Sequence, residues 1–140
     1  MKILNLFGKR DVSADLEKPV PYKLAIEFLP YKLFANRRSS SSMFIKIRNM
    51  TQEPLMTSLV IDVPTQLSLD ETGLTKTKEV RLGDIPSETE KECRIDVYSS
   101  SSTDKGEYTI SLTAFAHYRD YAHVLNSMKK RTALNVVDTK

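Results

Sequence analysis

The feature that most constrains this chain is a period of two. Tyr108, Ile110, Leu112, Ala114 and Ala116 alternate with Thr109, Ser111 and Thr113. Apolar side chains return to one face at that spacing only on an extended strand. One face of such a strand meets a core and the other can meet water. The same alternation sets Cys93, Ile95 and Val97 against Glu92, Arg94 and Asp96. It recurs in Leu24, Ile26 and Phe28, in Met43, Ile45 and Ile47, in Leu59, Ile61 and Val63, and in Thr132, Leu134 and Val136. Val80 to Leu82 adds a shorter, seventh piece. No amphipathic stripe of four helical turns interrupts the pattern, and no internal repeat is present.

The breaks between these runs fall on residues with a mechanical reason to turn the chain. Pro30 lacks a backbone donor and is expected to interrupt or bend the first strand, while Pro54 and Pro64 bracket the third. Gly73, Gly83 and Pro86 mark the next turns. Two serine runs, Ser39 to Ser42 and Ser99 to Ser102, read as loops at one end of the body. The segments 49–54, 83–89 and the long connection 117–130 then fall at the other end. With 140 residues, 40% of them apolar and 28% charged, the chain has one domain's worth of core. The expected fold is all-β, a seven-stranded immunoglobulin-like β-sandwich over residues 22–140, preceded by an N-terminal extension, 1–21. Cys93 is the single cysteine, so the sandwich is expected to hold without an internal disulfide.

Asp104-Lys105-Gly106-Glu107-Tyr108 has the spacing with which immunoglobulin-like domains begin strand F, the tyrosine hydroxyl bonding back to the corner before it. Position 110 is Ile110 rather than cysteine, and the chain has no tryptophan, so it departs from antibody-type domains. Ile45-Lys46-Ile47-Arg48-Asn49, then Leu82-Gly83-Asp84-Ile85-Pro86, Glu88-Thr89-Glu90-Lys91-Glu92 and Gly106-Glu107-Tyr108-Thr109-Ile110 stand in this order. Over roughly residues 40–137 this pattern resembles the CARDB-type immunoglobulin-like domains of archaea and bacteria. The resemblance implies a disulfide-free sandwich serving as a binding or spacer module, usually on secreted or surface chains.

Catalytic chemistry has little to stand on. Cys93 shares its face with Ile95 and Val97, the placement of a small buried thiol rather than a nucleophile awaiting His117 or His123. His117, Asp120 and His123 bring three possible metal ligands into one segment, but a structural zinc ordinarily takes four, and no metal is expected. The four glycines form no phosphate-cradling loop, so no nucleotide cofactor is expected either. The alternating charges of Asp84, Glu88, Glu90 and Glu92 read as a solvated strand edge. Asn49-Met50-Thr51 matches a glycosylation acceptor by composition alone.

What remains is binding. Tyr118, Arg119, Tyr121 and His123 concentrate rigid rings and a guanidinium in the expected strand F to G connection, residue types that give contact area at modest entropy cost. The expected function is therefore a non-enzymatic module that meets an unidentified protein partner through that pole. The alternative is an anionic ligand, nucleic acid or a membrane surface, held by Lys129, Lys130 and Arg131 together with Lys2, Lys9 and Arg10. A formal charge of +3 makes this the weaker reading. No apolar run approaches the about 18 residues needed to span a bilayer, and the opening ten residues are charged too soon for a signal peptide. A cytoplasmic location is expected. The apolar residues Ile3, Leu4, Leu6 and Phe7 are expected to fold back on the sandwich or dock on a partner.

Overall fold

The computed structural model describes residues 20–138, and the opening peptide with its Lys2, Lys9 and Arg10 lies outside them. Eight strands follow one another: β1 (Tyr22–Leu29), β2 (Lys32–Phe34), β3 (Ser39–Asn49), β4 (Leu55–Asp62), β5 (Thr77–Ile85), β6 (Glu90–Ser99), β7 (Gly106–Tyr118) and β8 (Asp120–Val137). They form a three-stranded sheet ordered β1-β3-β6 and a five-stranded sheet ordered β2-β8-β7-β4-β5. The described residues are thus all-β, arranged as a sandwich.

Each period-two run becomes a strand with its apolar face inward. Met43, Ile45 and Ile47 of β3 meet Leu59 and Ile61 of β4 and Ile110, Leu112 and Ala114 of β7 across the gap, all buried. Burial at about 25 cal/mol per Å² of apolar surface is the main force joining the sheets. Tyr22 is buried among them, its ring in the core and its hydroxyl 2.7 Å from Thr57 Oγ1, so even the polar end is satisfied. Burial pushes that hydroxyl's pKa up, the Thr57 bond opposing.

Three sequence expectations change. The strand count is eight rather than seven, because the chain leaving β1 turns at Pro30 and crosses to the other sheet, where Lys32 to Phe34 pair parallel with Asn135 to Val137. Ser39 to Ser42 is not a loop but the start of β3, paired with Asp96 to Ser99 of β6. Ser41 faces inward, buried, and donates to the Pro30 carbonyl; Ser39 shares its hydroxyl hydrogen bond with Ser99, which also donates to Arg37 O at 2.8 Å. Finally, 117–130 is no long connection. β7 and β8 form one hairpin that turns over Arg119, and β8 starts twelve residues before Thr132.

The poles nevertheless assemble largely as read. At the serine pole Asn36 N donates to Thr103 O at 2.7 Å, and Tyr108 Oη donates to Asp104 O at 2.7 Å, the corner bond expected of the D-x-G-x-Y spacing. At the hairpin pole Asn49 is fully buried. Its Nδ2 donates to Glu53 O and Ile85 O, both at 2.8 Å, while Oδ1 accepts from Thr51 N and Thr51 Oγ1. The acceptor-like tripeptide is therefore the hydrogen-bonded hub of a turn.

Candidate functional site

The hairpin pole is where the residues singled out for binding come together, and its shape follows from two irregularities in β8. The register with β7 slips between Ala116 and His117 and again between His117 and Tyr118, so extra residues of β8 bow outward at the tip. Arg119 sits at the turn with φ 71°, a left-handed conformation that non-glycine residues seldom adopt, and it is exposed. Asp120 Oδ1 then accepts from Ala122 N at 3.0 Å and lies 2.6 Å from His123 Nδ1, fixing the imidazole. The His123 bond is the main cause holding the Asp120 carboxyl below the usual range. The Tyr118 and His123 rings lie 5.1 Å apart, tilted at 46°, with Tyr118 47% exposed.

Tyr121 has a different task. A bulge between Thr57 and Ser58 displaces the β4–β5 register, and Gly83, at φ 73°, turns its amide away from the ladder. That amide donates to Tyr121 Oη at 2.9 Å. The Arg81 guanidinium covers the Tyr121 ring at 4.7 Å, and the same ring meets His117 edge-on at 5.0 Å. Tyr121 thus anchors the bowed hairpin to the outer face of the larger sheet, while Tyr118, Arg119 and His123 project.

His117 is buried, with Nε2 2.7 Å from Ser58 Oγ and Nδ1 without a partner among the described residues. A serine and an imidazole at that distance resemble a nucleophile and its base. Ser58, however, is 1% exposed, and no carboxylate orients the ring. The pair closes the outer face beneath Tyr121. Its partners are 59 residues apart, so no local sequence pattern marks it. His117 and His123 therefore serve different neighbours, and no three metal-ligating side chains gather among the described residues. Cys93 is half-buried against the core, and burial pushes its thiol up, away from the reactive thiolate.

Lys129, Lys130 and Arg131 lie along β8 away from the tip, and alternation separates them. Lys129 and Arg131 share the outer face with Thr113 and Ser111, their partners on β7. Lys130 points to the opposite side, where its amine donates to Leu24 O of β1 at 2.9 Å and ties the two sheets together. Arg37 and Arg38 are at the other pole, one over the Phe34 ring at 5.6 Å and one donating to Glu71 O at 2.8 Å. A shallow groove of about 330 Å³ lies elsewhere again, on the smaller sheet, lined by Ala25, Ile26, Glu27, Phe44, Lys46 and Glu92.

No protein-family model matches the sequence, and comparison with curated proteins gives no match. Solved structures do match. Part of a Salmonella alpha-2-macroglobulin mutant superposes with a TM-score of 0.61 at 15% identity, over 85% of this chain and 7% of that one. Native Escherichia coli alpha-2-macroglobulin gives 0.59 at 14%, over 86% and 7%. The chain thus spans 7% of either macroglobulin, and the likeness is one of fold. The matches include the family that the sequence resembles: a CARDB domain from Pyrococcus furiosus, at 15% identity over 84% of this chain and 94% of that one, with a TM-score of 0.49.

Proposed function

We propose that this chain is a non-enzymatic, immunoglobulin-like interaction module that meets a protein partner through the tip of the β7–β8 hairpin. One observation carries the reading: Tyr118 and His123 form an exposed, tilted ring pair with His123 held by Asp120, and Arg119 is exposed beside them at the turn. Ring pairs fixed before binding lose little entropy on contact, and tyrosine and arginine are the residue types that dominate interface energetics. The anchoring of Tyr121 supports this, because it stiffens the tip from behind. The absence of an enzymatic role is part of the proposal, supported by the burial of Ser58 and His117 and the raised Cys93 thiol.

The test is capture from native lysate on the immobilised chain, comparing wild type with Tyr118→Ala combined with Arg119→Ala. Loss of a captured protein in the variant, at unchanged thermal stability, is the expected result. Undiminished capture overturns the tip as the contact. Capture that collapses steeply with added salt, together with equal binding of nucleic acid or anionic vesicles, favours the anionic-ligand alternative.

A further inference from the structure

The outer edge of β8 is an unoccupied rail. Val137 O accepts from Ala35 N at 2.7 Å, so Val137 turns its peptide groups toward β2, away from β7. Peptide groups alternate along a strand, and the β7–β8 register is unbroken from Asn126 to Val136. The odd-numbered residues Lys129, Arg131 and Ala133 therefore also turn N–H and C=O outward. Ser127 agrees with this parity, its N–H donating to Asn126 Oδ1 at 2.8 Å. β2 covers this edge only from Asn135 onward. Lys129, Arg131 and Ala133 are exposed, and their backbone has no partner on that side among the described residues.

We infer that this edge accepts an extended segment of a partner protein as an added strand continuing the line of β2, and that the segment alternates acidic and apolar residues. The inference deepens the protein-binding reading above and rests on it. Charge sets the outer face of the segment. Lys129 and Arg131 point outward with no carboxylate paired to them among the described residues, and carboxylates directly opposite them form stabilising cross-strand pairs. Burial sets the inner face. Met128 of β8 and Ile26 of β1 face the core here and are only half-buried, so an apolar residue between the two acidic ones, opposite the inward-turned Lys130, extends the cover over them. Strand addition supplies affinity through the backbone and specificity through alternate side chains. A second copy of the chain is the poorer occupant, because β8 pairing with itself about Lys130 sets cation against cation.

The experiment uses the full chain and a short peptide of alternating glutamate and valine, read by amide hydrogen exchange. The Lys129, Arg131 and Ala133 amides are expected to exchange about tenfold more slowly with peptide bound. Lys129→Glu with Arg131→Glu is expected to weaken binding about tenfold or more. Four results overturn the inference: equal binding of a peptide with its glutamates and valines in separate blocks; equal binding of single-stranded DNA of the same charge; protection elsewhere in the chain; and amides on this edge already protected in the free protein, whether by its own chain or by a second copy. The tip and the edge fail separately. Tyr118→Ala with Arg119→Ala leaves peptide protection intact if the edge is a site, and the double charge reversal leaves tip capture intact if the tip alone is the contact.

Discussion

The two open flanks of the sandwich are built alike and finished differently. On one flank β1 and β8 face each other across the sheets, on the other β6 and β5. Each is tied by one lysine reaching a carbonyl of the opposite sheet: Lys130 Nζ to Leu24 O at 2.9 Å, and Lys91 Nζ to Leu82 O at 2.6 Å. The β5/β6 flank then neutralises itself, with Glu79 beside Arg81 at 3.5 Å, Asp96 beside Arg94 at 3.2 Å and Glu92 beside Lys46 at 3.6 Å. Such exposed pairs contribute little stability, but alternating charge makes a strand edge a poor template for another chain. The β8 edge instead carries three cations in a row, preceded from Tyr121 to Met128 by no carboxylate, lysine or arginine. One flank balances its charges along its edges and the other carries unpaired cations among the described residues.

Depth of anchoring gives the largest test of this contrast. Leu134 of β8 is buried to 1% exposure, whereas Val80 of β5 is only half-buried. Leu134→Ala is expected to cost about 2–5 kcal/mol in chemical denaturation, and Val80→Ala about 1 kcal/mol or less. Equal losses would break the idea that β8 is held firmly enough to serve as a rail. Next comes the tie between the hairpin and the β5 side: Tyr121→Phe removes the acceptor for the Gly83 amide and is expected to cost about 1 kcal/mol, with faster exchange at Gly83. Unchanged exchange there would show that the ring contacts alone hold the tip. The two lysine ties rank lower. Lys130→Met and Lys91→Met should each cost roughly 0.5–1 kcal/mol, Lys130 the more of the two because its bond to Leu24 O is partly buried and that of Lys91 is exposed. A reversed order would mean that the β5/β6 flank is the tighter closure.

Acid gives the smallest and most selective effect. The Ser42 hydroxyl, 2.8 Å away, is the chief cause holding Asp96 below the usual carboxyl range, with Arg94 adding to it. A carboxyl depressed in the folded state contributes stability that is complete above its unfolded pKa, about 4, and lost as pH falls through the lower folded value. Asp96→Asn is therefore expected to flatten the acid limb of the stability profile below about pH 4. Lys129→Gln should leave that limb unaltered, since no carboxylate is paired with Lys129 among the described residues. An identical response from both variants would erase the distinction.

Much of the sandwich was legible because burial on one face writes itself into alternate positions, as from Tyr108 to Ala116 in β7. β2 escaped because three residues hold no period and its parallel partner is about a hundred residues away. The first dozen residues of β8 escaped for the opposite reason: exposed except at Tyr121 and Met128 and bowed by the register slip, they have no alternation to show. Ser39 to Ser42 looked like a loop because hydroxyls, not methyls, fill the inward positions, and those hydroxyls find carbonyls and one another. For the candidate site, composition found Tyr118, Arg119 and His123, but only coordinates separate them from Tyr121, which is spent on Gly83. The free edge of β8 leaves no mark in the sequence, being a property of who stands next to whom.

The path of the chain through the body bears on how it would carry load. Pro21 accepts from Met50 N beside the hairpin pole, whereas Val137 and Asp138 contact Ala35 and Lys105 at the serine pole. The chain thus enters at one end and leaves at the other, with β7 alone measuring about 45 Å over its thirteen residues. Tension between residues 22 and 137 would run along the strands, while their ladder bonds lie across them. The pull would load those bonds in shear, many together, instead of peeling them apart one after another.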